Sequence, residues 1–260
     1  MNLVFLKIAA AQISATSSPA TNLEEVQLQV KSAAQDGAQI VLFPEATMAR
    51  FGTELSSISE PLDGPFATGL RNIAREYNVI VAAGMFTPAD GARVHNTVLV
   101  TGPDVECSYD KIHLYDAFGS RESDTVAPGK GIVTFETGGL TIGLSTCFDL
   151  RFAQQFTELG RAGAQLILVP ASWGEGPGKA EQWEVLIRAR ALDAQAWVLA
   201  CDQAWTTPEG SNPIGIGNSM LVDPMGRVRA RLGHEAGTLL AEVDPALSLE
   251  TRRKIPLSNG

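Results

Sequence analysis

Three side chains in this sequence are of types that together can run covalent chemistry, and each stands where an apolar run stops. Glu45 follows the run Gln39–Phe43 and Pro44. Lys111 lies in Tyr109-Asp110-Lys111-Ile112-His113-Leu114, just beyond a second apolar stretch. Cys147 closes Leu140-Thr-Ile-Gly-Leu-Ser-Thr and is followed by Phe148-Asp149-Leu150-Arg151-Phe152. A strand that ends on a nucleophile and turns into a helix presents that side chain at the sheet edge, with the next amide aimed at whatever it attacks. A free thiol is mostly protonated at neutral pH and needs a base or a cation beside it. His95, His113 and His234 are the only histidines, and none has an evident orienting acid. A glutamate in a partly apolar pocket can serve as base and then as acid. A lysine next to it can hold a developing oxyanion, as can the amide of Phe148. Taken singly, the three residues read as a buried structural cysteine, a helix cap and a surface charge. Taken together, they read as nucleophile, base and oxyanion partner.

The elements that must position them alternate between strand and helix. Leu3 to Ala11 reads as a buried strand. A helix from Asn22 to about Gly37 carries Glu24 and Glu25 in its first turn, where the helix dipole favours acids. Strands are predicted at 39–43 and 79–86, with a helix over 66–77 between them. Asn96–Val100 and Val105–Tyr109 form a hairpin around Gly102-Pro103-Asp104. The stretch from Lys111 to Lys130 is a long irregular loop, and loops of that length in compact domains usually serve function. Ile132–Phe135 pairs with Leu140–Thr146. Next come a helix over 153–162, a strand over 165–169, a loop from Ser172 to Gly178 and a helix over about 180–194. Strands at 196–203, 216–222 and 236–243 and a helix over 245–253 complete the chain.

The sequence also echoes itself. Gly37-Ala-Gln-Ile-Val-Leu-Phe-Pro44-Glu45-Ala46 is similar to Gly163-Ala-Gln-Leu-Ile-Leu-Val-Pro170-Ala171-Ser172, and Asn96-Thr-Val-Leu-Val100 to Asn218-Ser-Met-Leu-Val222. Two halves, each with one sheet packed face to face and helices outside, make a four-layer α-β-β-α sandwich of the α/β class over a single domain, residues 1–260. In this echo Glu45 has Ala171 opposite it, so the repeat itself does not require the acid.

Bulk properties narrow the function. With 260 residues and 45% hydrophobic content the chain can bury a large core. A net charge of −9 argues against nucleic acid or an anionic membrane as partner. Cys107, Cys147 and Cys201 form no CxxC and leave an odd count, which favours a reducing, cytoplasmic setting. Lys7 interrupts the apolar N-terminus, which is read as a strand rather than a signal peptide. The histidines lack metal-ligand spacing, and Gly176-Pro177-Gly178-Lys179 lacks that of a phosphate loop, so neither metal nor other cofactor is expected.

FPEA, DKIHLYD and CFDLRF resemble, in order and spacing, the three motifs of the nitrilase superfamily of carbon–nitrogen hydrolases. KIHLYDAFGSRESDTVAPG and GPGKAEQW are similar to the branch that holds omega-amidases and deaminated glutathione amidases. The resemblance implies the sandwich fold and a catalytic triad of Glu45, Lys111 and Cys147. It also implies a fourth residue, Glu122, that positions Lys111 or the substrate amide, and at least a homodimer. The reaction implied is release of ammonia from a small carboxylate-bearing amide through a cysteine thioester. An N-carbamoyl amino acid hydrolase, a nitrilase and a non-catalytic scaffold are the alternatives. Two assignments stay open. Arg151 either holds a substrate carboxylate or pins the turn by pairing with Asp149 or a more distant acid. Trp173 either lines the pocket or belongs to the core.

Overall fold

Residues of the first strand divide by parity. Leu6, Ile8 and Ala10 join one apolar cluster, and Ala9 and Ala11 another. Successive side chains of a strand point to opposite faces, so a strand buried on both sides is apolar throughout. The computed structural model describes residues 5–207 and 215–257. In it the first of these clusters lies between two sheets and the second between a sheet and its helices.

The first half runs β1 (Leu6–Gln12), α1 (Pro19–Gln35), β2 (Ile40–Leu42), α2 (Leu55–Ile58), α3 (Pro65–Tyr77), β3 (Ile80–Pro88), β4 (Val94–Gly102) and β5 (Val105–Asp110). The second runs β6 (Val133–Thr137), β7 (Leu140–Leu144), α4 (Ala153–Arg161), β8 (Leu166–Ala171), α5 (Lys179–Ala194), β9 (Trp197–Asp202), β10 (Met220–Val222) and β11 (Val228–Arg231). β12 (Gly237–Val243) and α6 (Pro245–Lys254) follow. The two sheets have the orders β12-β1-β2-β3-β4-β5 and β6-β7-β8-β9-β10-β11. Each sheet has a parallel centre, β1-β2-β3 or β7-β8-β9, with antiparallel strands on both sides. Ile8, Ile40 and Leu42 of one sheet and Ile142, Leu166 and Leu168 of the other meet in the shared cluster. Phe66 and Leu70 of α3 cover the first sheet, and Phe156 of α4 and Ile187 of α5 cover the second. This is the α-β-β-α sandwich.

The structure corrects four details. The halves are not self-contained, because β12 comes from the end of the chain to complete the first sheet beside β1. The first helix begins at Pro19, not Asn22, and the Ser18 side chain caps it by accepting from Thr21 N. Glu24 and Glu25 therefore lie beyond its first turn; serine followed by proline was the stronger start signal. β11 was not expected, because Val228-Arg-Ala-Arg231 is a half-charged edge strand. The first strand begins at Leu6, and Leu3 lies outside the described residues. Among the described residues no helix is long and apolar enough to cross a membrane.

Candidate active site

Cys147 has φ of +46°, a left-handed conformation that costs a non-glycine residue of order 1–3 kcal/mol and persists only when its surroundings impose it. The imposing group is Asp149, fully buried in the 3₁₀ turn Cys147–Arg151. Its Oδ2 accepts from Thr146 N at 2.9 Å and from the Tyr109 hydroxyl at 2.6 Å. Its Oδ1 accepts from His113 N at 3.0 Å, and His113 Nδ1 lies 2.9 Å away. The turn that carries the cysteine is thereby bolted to the end of β5, which carries the lysine. Gln155 adds to the bolt by donating to the Tyr109 hydroxyl at 2.9 Å.

Glu45 reaches the same place from β2. The chain after Pro44 turns sharply, with Ala46 at φ +59°. Gly84 of β3 allows this, since a Cβ there would stand 2.6 Å from Ala46 N and 2.9 Å from Pro44 O. The Glu45 side chain is 1% exposed. Its Oε1 accepts from Lys111 Nζ at 2.9 Å and from Asn96 Nδ2 at 2.7 Å. Its Oε2 accepts from Ser172 N at 2.9 Å, and its carbonyl accepts from Gln203 Nε2 at 2.9 Å.

Lys111 is 2% exposed and sits between two carboxylates, with Glu122 Oε2 also at 2.9 Å. Burial opposes its charge, but Glu122 and Glu45 together hold the ammonium well above the usual lysine range. Glu122 is fixed in turn by Tyr115 N, which donates to Oε2 at 2.6 Å. The Cys147 thiol is pushed the other way. Burial raises its pKa first and the neighbouring Glu45 charge second, outweighing the pull of Lys111. The resting sulfur is therefore a thiol, within 3.8 Å of Ser172 O, and ionising it calls for a base.

Glu45, Lys111, Glu122, Cys147, Phe148, Arg151 and Trp173 all line one cavity of about 620 Å³. Phe148 is the second residue of the 3₁₀ turn, where amides have no partner within the turn. Arg151 does not pin the turn through Asp149, whose oxygens are occupied by other donors. It donates to the neutral Gln182 Oε1 at 2.7 Å and lies 5.8 Å and 5.1 Å from the ring centroids of Phe148 and Trp173. Among the described residues it has no carboxylate partner. Trp173 proves to be both core and lining: it is 3% exposed and packs on Trp183, yet it borders the cavity. No group of three or more His, Cys, Asp or Glu among the described residues could hold a metal ion.

Sequence reasoning missed Asn96, Ser172 and Gln203 as parts of the site. Asn96 was visible only as half of the internal echo. Ser172 acts through its backbone, which residue type does not reveal. Gln203 joins the two sheets, accepting from Ala15 N at 2.9 Å while it holds Glu45.

A family model described as carbon-nitrogen hydrolase matches residues 7–253. The chain belongs to the carbon–nitrogen hydrolase family. A hydrolase of Mycobacterium tuberculosis is 48% identical over 250 residues, 92% of this chain and 89% of that protein. An omega-amidase of Danio rerio is 30% identical over 260 residues, 97% of this chain and 93% of that protein. Among solved structures, Nit3 of Saccharomyces cerevisiae, a member of branch 10 of the nitrilase superfamily, aligns with a TM-score of 0.86 at 25% identity, covering 98% of this chain and 96% of that one. This carbon–nitrogen hydrolase thus places a thiol, a flanked ammonium and two carboxylates at the head of one cavity.

Proposed function

We propose that the protein is an amidase that releases ammonia from a small carboxylate-bearing primary amide through a thioester on Cys147. The observation that carries this reading is the convergence of Cys147, Glu45 and Lys111, drawn from two sheets onto one cavity wall. Glu45 takes the thiol proton as sulfur bonds to the carbonyl carbon. Lys111 Nζ and the Phe148 amide hold the oxyanion, a contribution of about 3–4 kcal/mol per donor. The carbon–nitrogen bond then breaks, and Glu45 returns its proton to the departing ammonia. Glu45 next takes a proton from water, whose oxygen attacks the thioester. The sulfur leaves, regains that proton, and the free acid departs. Glu122 orients Lys111 throughout.

The carboxylate on the substrate is inferred from Arg151, a planar cation in the cavity wall that suits bidentate carboxylate binding. The expected homodimer is part of the same proposal, supported by exposed Val185 and Leu192 on α5, and a monomer mass by sedimentation would remove it. A cytoplasmic location is proposed on three free thiols. The deciding experiment follows ammonia release from dicarboxylic monoamides while mass spectrometry looks for an acyl adduct on Cys147. Ammonia with a transient adduct supports the reading. Release of carbon dioxide from carbamoyl amino acids alone would reassign the substrate, and wild-type turnover by Cys147→Ala would end the mechanism.

A further inference from the structure

The stretch Gly176-Pro177-Gly178-Lys179 has no role in the chemistry above, yet Lys179 borders the same cavity. Its ammonium lies 4.9 Å from the ring centroid of Phe118 and 5.3 Å from those of Tyr115 and Trp173. Aromatic faces attract a cation but accept no N–H···O hydrogen bond of ordinary strength. The only hydrogen bond to its Nζ among the described residues is a long one, 3.5 Å to the Tyr115 hydroxyl. An ammonium has three donors, so most of its donor capacity is free for a ligand. Among the described residues no carboxylate pairs with it. The acids nearby are otherwise engaged: Glu45 and Glu122 flank Lys111, and Glu175 accepts from Trp205 Nε1 at 3.2 Å.

Lys179 and Arg151 both lie against Trp173, so two cations with no carboxylate partner among the described residues share one wall of the cavity. Like charges so placed repel, and an anion bound between them relieves the repulsion. The chain as a whole carries a charge of −9, so this positive wall runs against the overall balance. Arg151 belongs to the same turn as Cys147, while Lys179 opens α5, beyond the loop that follows β8.

We propose that Lys179 is a specificity-determining residue that reads a second acidic group on the substrate, so that the preferred substrates are small primary amides carrying two carboxylates. This rests on the amidase reading. Arg151 takes the first carboxylate and Lys179 the second, while the aromatic box keeps the lysine chain extended and partly dehydrated.

The test compares two amides on the full-length protein: the monoamide of glutaric acid, with one free carboxylate, and the terminal monoamide of propane-1,2,3-tricarboxylic acid, with two. The wild type is expected to favour the second in kcat/KM. Lys179→Gln is expected to lower the ratio of the two values about tenfold, chiefly through KM, and Lys179→Arg to restore most of it. General structural damage would depress both substrates and leave the ratio in place. A wild type that favours the singly charged amide, or a ratio that Lys179→Gln does not move, overturns the proposal while the amidase reading stands. If neither amide yields ammonia and Cys147 gains no acyl adduct, the amidase reading fails and this proposal goes with it.

Discussion

The two halves of the sandwich reach the same kind of place and equip it differently. At the end of β2 the chain reads Phe43-Pro44-Glu45; at the matching end of β8 it reads Val169-Pro170-Ala171. Ile8 pairs with Ile40 as Ile142 pairs with Leu166, and Cys147 follows Ile142 at the spacing at which Ile13 follows Ile8. Tyr109 pairs with Val98 as Arg231 pairs with Met220. One cluster of strand ends thus carries a carboxylate, a thiol and a buried phenol. The other carries Ala171, Ile13 and an arginine that pairs with Glu184 at the surface. The other end is still used, because the residue after Ala171 donates its backbone N–H to Glu45 and offers its carbonyl to Cys147. Pseudo-symmetry gives two cradles, and the proposed chemistry uses one cradle and the backbone of the other.

Substitutions can break this contrast, beginning with the largest effect. Glu45→Gln removes the proposed base and should cost about 10²–10⁴ in kcat for amide hydrolysis. It should also lower the pKa of the Cys147 thiol, because the carboxylate charge is one of the forces holding it up. Thiolate absorbance followed against pH checks the sign, and a thiol that becomes less acidic would contradict the assigned electrostatics. Ala171→Glu places an acid at the equivalent buried position of the other cradle, where Asn218, the echo of Asn96, is engaged with Ile216 O rather than held out as a partner. Without such partners the charge should cost about 3–5 kcal/mol in unfolding free energy. Denaturant melts at constant m-value test it, and a variant as stable as the parent would mean that the two cradles are not different in kind.

Asn96→Ala sharpens the same contrast, since Asn218 at the echo position donates to Ile216 O rather than to an acid. Loss of a bond to a charged group should cost about 1.5–3 kcal/mol in transition-state stabilisation, with stability affected less. Steady-state kinetics beside thermal melts separate the two. Tyr109→Phe should have the smallest effect, about 1–3 kcal/mol of stability, by leaving Asp149 short of a donor. Burial first, and the Asp149 charge second, hold the Tyr109 phenol well above its ordinary range. The folded state therefore keeps a proton that the unfolded chain loses near pH 10, so stability should fall as pH rises past about 10. The phenylalanine variant lacks that group, and its melting temperature should fall less steeply there.

Much of this was legible beforehand. Alternation of apolar runs with helical stretches, and the echo at 37–46 and 163–172, pointed to two sheets and four layers. Polar residues at three strand ends point to Glu45, Lys111 and Cys147 from the sequence alone. Boundaries and edges were less legible. Ser18-Pro19 outcompeted Glu24 and Glu25 as a helix start, and β11 hid behind its arginines. The departure of β12 into the first sheet had no local sign, since strand pairing across such a separation depends on tertiary packing.

The sequence by itself determined which residue types end the buried strands, because burial and turn chemistry are local and periodic. Only the tertiary structure decided what those side chains meet. Lys111 sits between Glu45 and Glu122, Asp149 serves Tyr109 and His113 rather than Arg151, and Arg151 and Lys179 face the cavity with no carboxylate partner among the described residues. Charges choose partners by distance in space, and residues far apart in the chain become neighbours only once the two sheets have packed.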